Sequence, residues 1–145
     1  LESQHAIYPQ ILQPHIIKTS EYGAKRNVGD ISFIPFEQDH QTCKTLGYRF
    51  GNFAYSVDVL KFEEQALSVL KGVETWMVDS TGYHQNDNLV HINLEQIYAY
   101  NKIIGAKRVI LTSLSLSMDY RTVLKETPDG IEPAYDGMSF TVVPY

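Results

Sequence analysis

The chain has 145 residues, enough for one domain with a modest core, and its 43% hydrophobic and 20% charged residues are those of an ordinary globular protein. A net charge of -5, with no basic run longer than the pairs Lys25-Arg26 and Lys107-Arg108, argues against broad nucleic-acid or membrane-surface binding. A single cysteine, Cys43, excludes an internal disulfide and fits a cytoplasmic protein, and no apolar run is long enough to span a membrane.

Residues 1–29 carry two prolines and scattered polar side chains and read as poorly defined loop, with a short strand near His15–Lys18. Asp30–Phe36 is apolar and partly alternating, which predicts a strand closed by Pro35. Leu46–Phe50 and Phe53–Asp58 read as a hairpin about Gly51-Asn52. Phe62–Leu70 places Phe62, Ala66, Leu67 and Leu70 on one helical face. Thr75–Val78 is a short buried strand ending at Asp79, followed by a polar loop over Ser80–Val90. Asn93, with Gln96 three residues on, forms a capping box; Leu94, Ile97, Tyr98 and Ile104 supply the apolar stripe, and Gly105 stops the helix. Lys107–Thr112 is a further strand. Ser117–Glu126 reads as a short helix capped by Ser117 and stopped by Pro128, and Met138–Val143 as a last strand.

Strand, helix, strand, helix, strand from Phe53 onward predicts an α/β architecture with parallel crossovers. Ligands in such sheets sit beyond the carboxyl ends of the strands, where Asp58, Asp79 and Thr112-Ser113 all fall. His40 and Asp58 form the sharpest pair. A histidine and a carboxylate brought to one point suit a divalent transition metal, but two ligands do not make a site, and by spacing alone the pair reads more readily as a hydrogen-bonded loop histidine and a capping acid. His84 and His91 flank Asp87 in the polar loop. His84 reads as solvated, whereas His91 lies two residues before an N-cap, where helix-start amides help to bind an anion. Asp79 reads as a loop cap, and Cys43 as an unreactive thiol. No Gly-x-Ser-x-Gly elbow, phosphate loop or Cys-x-x-Cys pair is present.

Phe36-Glu-Gln-Asp-His40, Leu46-Gly-Tyr-Arg-Phe-Gly51 and Ala54-Tyr-Ser-Val-Asp58 together resemble the second half of a metallo-β-lactamase-fold hydrolase. The branch is that of phosphoribosyl 1,2-cyclic phosphate phosphodiesterase. Trp76-Met-Val-Asp79, His91-Ile-Asn-Leu-Glu95, Lys107–Thr112, Met118-Asp-Tyr120 and Glu132–Met138 follow in the family's order, so the likeness covers about 30–138. It implies one partial domain over 1–145, the C-terminal portion of an αββα sandwich with a mixed sheet and flanking helices. It also implies metal-dependent phosphodiesterase chemistry with zinc or manganese. His40 matches a ligand histidine, Asp58 the aspartate that bridges two metal ions, and His91 the catalytic histidine that contacts the substrate phosphate.

The chain departs from the family in two places. The His-x-His-x-Asp-His motif is absent, since neither His5 nor His15 sits in such an arrangement, and Ser113 and Leu116 stand where relatives carry histidines. The resemblance therefore implies an incomplete metal site, weakly active or inactive alone. Two alternatives stand beside that reading: a non-catalytic interaction module or decaying fragment, and the C-terminal half of a split enzyme. A lone half-sandwich would expose the inner, apolar face of its sheet. An N-terminal half, a second copy or the chain's own N-terminal segment would then cover it.

Overall fold

A computed structural model of the chain describes residues 14–86 and 88–145. Seven strands form one sheet in sequential order. They are β1 (Arg26–Val28), β2 (Ile31–His40), β3 (Cys43–Phe50), β4 (Phe53–Ser56), β5 (Thr75–Asp79), β6 (Arg108–Thr112) and β7 (Ile131–Pro133). β1 to β4 pair antiparallel, and β4 to β7 pair parallel. The crossovers of the parallel half are helices α1 (Glu64–Leu70), α2 (Leu94–Ile104) and α3 (Tyr120–Glu126). The sheet is thus mixed and the fold α/β, as expected.

Local chemistry explains most of these elements. Phe50 pairs with Phe53 across Gly51-Asn52, and Gly51 takes the left-handed φ of 57° that the tight hairpin demands. The α2 cap forms as the spacing predicts: Asn93 Oδ1 accepts from the Gln96 N–H at 2.9 Å, and Gln96 Oε1 accepts from the Asn93 N–H at 3.0 Å. Gly105 closes the helix at φ 77°. The strand register sets Phe36, Ala54, Trp76, Val78, Val109 and Leu111 on one sheet face, where they pack with Ala66, Leu70, Leu94, Ile97 and Val123 of the helices.

Several expected boundaries move. β2 does not stop at Pro35 but continues through it to His40. The Pro35 carbonyl accepts from Gly23 N–H at 2.7 Å, so the side of the strand that lacks an N–H faces away from β3, beyond the reach of short β1. His15–Lys18 forms no strand, and part of the loop expected up to residue 29 becomes β1. α3 begins at Tyr120, because Asp119 and not Ser117 caps it: Asp119 Oδ2 accepts from the Thr122 N–H at 2.9 Å. Ser117 Oγ instead pairs with Ser115 Oγ at 2.8 Å.

The last strand is Ile131–Pro133, and Met138–Val143 is irregular. After α3 the parallel winding resumes at once, with Ile131 and Pro133 buried, so the later segment is left off the sheet edge. It crosses the second sheet face instead. Phe140 meets Phe53 at 5.3 Å between ring centroids, and Val143 exchanges hydrogen bonds with Asn52.

That second face carries Phe33, Tyr48, Phe50, Phe53 and Tyr55 in adjoining positions. Phe33 lies 5.8 Å from Tyr48 and 6.0 Å from Phe50. Val28, Ile31, Phe33, Tyr48 and Phe50 line an open apolar cavity of about 210 Å³ there. The C-terminal segment covers part of the face expected to be bare; His5 and the other residues up to 13, like Asp87, lie outside the described residues. Among the described residues no helix is long and apolar enough to cross a membrane.

Candidate metal centre

β2, β4, β5 and β6 run in one direction, so their carboxyl ends share one edge of the sheet. His40 ends β2, Asp58 lies two residues past β4, Asp79 ends β5 and Ser113 follows β6. His91 comes from the loop between β5 and α2. At this edge His40, Asp58 and His91 each offer one ligand atom, and the three atoms lie within 4.8 Å of one another.

Each member is held by identifiable contacts. Asp58 has φ 52°, a left-handed conformation that costs a non-glycine residue about 1–2 kcal/mol. Two side chains of the preceding hairpin hold that turn: Gln38 Nε2 donates to the Val57 carbonyl at 2.9 Å, and Thr45 Oγ1 donates to the Asp58 carbonyl at 2.7 Å. The chain after Asp58 is pinned to β2, with the Leu60 N–H donating to the Asp39 carbonyl at 2.8 Å. Asp39 in turn stands beside Lys44 and Lys61, and the Gln41 backbone N–H holds its carboxyl below the usual range.

The loop that carries His91 is shaped by Asn88, whose Oδ1 accepts from the backbone N–H groups of Val90 at 3.1 Å and His91 at 2.8 Å. The Ile92 N–H then donates to the Val59 carbonyl at 2.9 Å, which ties this loop to the turn of Asp58. The His40 and His91 rings approach edge-on, with centroids 4.9 Å apart.

Hydrogen bonding assigns the ring nitrogens. His40 Nδ1 lies 2.6 Å from the Val90 carbonyl oxygen, which can only accept. Nδ1 therefore carries the proton, and Nε2 of the neutral ring keeps its lone pair. His91 Nδ1 lies 2.6 Å from Asp79 Oδ2, and its Nε2 is free in the same way. The other oxygen of Asp79 accepts from the Thr81 N–H at 2.9 Å and the Thr81 hydroxyl at 2.7 Å. Asp79, 1% exposed, thus caps its loop as expected and also orients His91. The sequence reading missed that second role. A buried acid at the end of a strand twelve positions before a histidine was the only signal for it.

The remaining candidates fall elsewhere. Ser113 has φ 56° and an exposed side chain, and its carbonyl oxygen lies 2.8 Å from Thr81 Oγ1. With Met77, Thr112, Leu114, Tyr135 and Met138 it lines a cavity of about 530 Å³ at the same edge. His84 lies outside the triad, between two carboxylates: Nδ1 is 2.6 Å from Glu95 Oε1 and Nε2 is 3.5 Å from Glu126 Oε2. The hydrogen bond to Glu95 raises its pKa above the ordinary value, and Glu126 also accepts from the Tyr83 hydroxyl at 2.6 Å. His84 is thus a paired side chain that links the loop to α2 and α3, rather than a merely solvated one.

The profile of the beta-lactamase superfamily domain matches residues 3–112. The chain belongs to this superfamily. Its structure superposes on a diphosphatase of the PhnP family with a TM-score of 0.73 at 23% identity, over 81% of this chain and 45% of that one. It superposes on human tRNase Z, short form, with a TM-score of 0.60 at 12% identity, over 83% of this chain and 48% of that one. At such identities the likeness concerns the fold, which is that of the metallo-β-lactamase hydrolases. The chain spans about half the length of either solved structure. No curated protein sequence matches it. Divalent metals are the general cofactors of the superfamily. Two imidazoles with free Nε2 atoms and a carboxylate are a donor set that fits such an ion.

Proposed function

We propose that this domain belongs to a metal-dependent hydrolase of phosphate esters, of the phosphodiesterase or diphosphatase kind, in which His40 and Asp58 hold a zinc or manganese ion. The convergence of His40, Asp58 and His91 at the carboxyl edge of the sheet carries this reading. A bound divalent ion supplies Lewis-acid polarisation of a phosphoryl oxygen and a nucleophilic water at neutral pH. The protein's own groups do the rest. Asp58 and His40 would hold the ion at the carboxyl edge of the sheet. His91, one of the three converging residues, would contact a phosphate oxygen through Nε2, since Asp79 engages its Nδ1. The cavity beside Ser113 and Tyr135 gives room for the rest of a substrate. That one structural neighbour is a diphosphatase supports a phosphate-containing substrate. The exposed, unpaired Cys43 accords with a reducing, cytoplasmic setting.

A second reading rests on the aromatic sheet face and on Ser113. Phe33, Tyr48 and Phe50 would take an apolar layer from an N-terminal half or a second copy, and further metal ligands would arrive with it. In the absence of such a layer the domain would bind metal without turnover.

Hydrolysis of a chromogenic phosphodiester by the zinc- or manganese-loaded protein separates the two. Turnover that disappears in His40→Ala and Asp58→Asn supports the first. Metal binding with no turnover supports the second. Failure of the wild-type protein to bind either metal would sink both.

A further inference from the structure

We infer that His91 is itself a metal ligand in the substrate-free protein, so that His40, Asp58 and His91 form a self-contained mononuclear centre for a divalent transition cation. This deepens the metal reading above and rests on it. Four observations carry it.

The first is distance: the three donor atoms already stand within 4.8 Å of one another. Metal–ligand bonds of about 2.0–2.2 Å in tetrahedral geometry need donors roughly 3.4 Å apart. The remaining gap is of a size that one side-chain rotation closes, and Asp58, the exposed member, is free to make it.

The second is protonation geometry. Both Nδ1 atoms are engaged, His40 with the Val90 carbonyl and His91 with Asp79, so the nitrogen each ring has left to offer a metal is Nε2. A ligand imidazole is commonly held in this way, its far nitrogen donating to a carbonyl or a carboxylate. A histidine whose only task is to contact phosphate needs no such match with His40.

The third is connectivity. The Ile92 N–H to Val59 carbonyl bond and the His40 to Val90 contact lock the three segments together without any outside group. The fourth is Ser113, whose neutral hydroxyl at the end of β6 is a poor ligand, which leaves His91 as the third strong donor among the described residues at this edge. A set of two imidazoles and one carboxylate favours zinc, manganese or ferrous iron over magnesium and calcium, which prefer oxygen ligands. Three protein ligands leave a position open for water or substrate, the pattern of catalytic rather than structural sites.

The test follows imidazole nitrogens by long-range proton–nitrogen correlation as zinc is added to the ¹⁵N-labelled wild-type protein. The expected result is that Nε2 of His40 and Nε2 of His91 shift on one binding curve that ends at one equivalent, with both Nδ1 atoms still protonated and His84 unmoved. His91→Gln then weakens zinc binding more than about 10-fold, as His40→Gln does. If His40 shifts while His91 stays in place, or if His91→Gln binds zinc at wild-type affinity, the inference is overturned and the His40–Asp58 metal reading survives. If neither histidine shifts, both are overturned.

Discussion

His91 Nδ1 and Asp79 Oδ2 lie 2.6 Å apart, and this contact joins a loop histidine to the buried end of a central parallel strand. It fixes the ring's orientation and leaves Nε2 as its working atom. Losing it would disturb the centre without removing any of the three converging groups. Asp79→Asn should lower zinc affinity by about 10–100-fold, as is usual when the partner of a ligand histidine is changed. Calorimetric titration of the folded variant measures the change, and an affinity equal to wild type would refute the orienting role.

Gly47 faces Phe36 across the β2–β3 ladder, both of them buried. A Cβ at residue 47 would fall 2.5 Å from Gln38 Oε1 and closer still to the Phe36 ring. Gln38 is fully buried and also steadies the Val57 carbonyl beside Asp58. Gly47→Ala should therefore destabilise the fold by about 1–3 kcal/mol, the usual cost of overpacking. It should also weaken metal binding. Urea unfolding and zinc titration of one preparation check both.

Ser113 sits at φ 56° with an exposed side chain. Glycine takes this conformation without the Cβ penalty but loses more entropy on folding. The net expectation for Ser113→Gly is a gain of about 0.5–1 kcal/mol in unfolding free energy. Zinc affinity should not change, because Ser113 is not one of the three converging residues. A fall in either quantity would contradict this account of the β6 end.

His84 is held between Glu95 and Glu126, with Tyr83 and Tyr98 beside the same carboxylates. The Glu95 hydrogen bond raises its folded-state pKa, so the folded protein holds the proton more tightly than the unfolded chain does. The stabilisation is fully present below the unfolded value of about 6.5 and is lost as pH rises through the raised folded value. The side chain is 46% exposed, so solvent screening limits the effect to below about 1 kcal/mol. Thermal midpoints of wild type and His84→Gln should differ most near pH 5.5 and converge near pH 8.5. A gap independent of pH would remove the electrostatic explanation.

The chain order shows which features were legible beforehand. The Gly51-Asn52 hairpin, the Asn93–Gln96 box and the Gly105 stop follow from residues within a few positions of one another, so local chemistry decides them. The run of β2 through Pro35 was not legible. Whether a proline ends a strand depends on which side its missing N–H faces, and that is set by the place of β3. The start of α3 was misread because Ser117 and Asp119 are both competent caps and only packing selects between them. Met138–Val143 has the composition of a strand, yet the edge position next to β6 is taken by Ile131–Pro133.

The sequence by itself determined the Gly51-Asn52 hairpin, the cap and stop of α2, the α/β class, the family likeness and a His40–Asp58 pair that suits a metal. Only the tertiary structure decided that His40, Asp58 and His91 meet, and that Asp79 and the Val90 carbonyl choose which nitrogen each imidazole presents. The reason is separation along the chain: His40 and Val90 are 50 positions apart, so their contact depends on sheet register and loop closure, not on any local pattern.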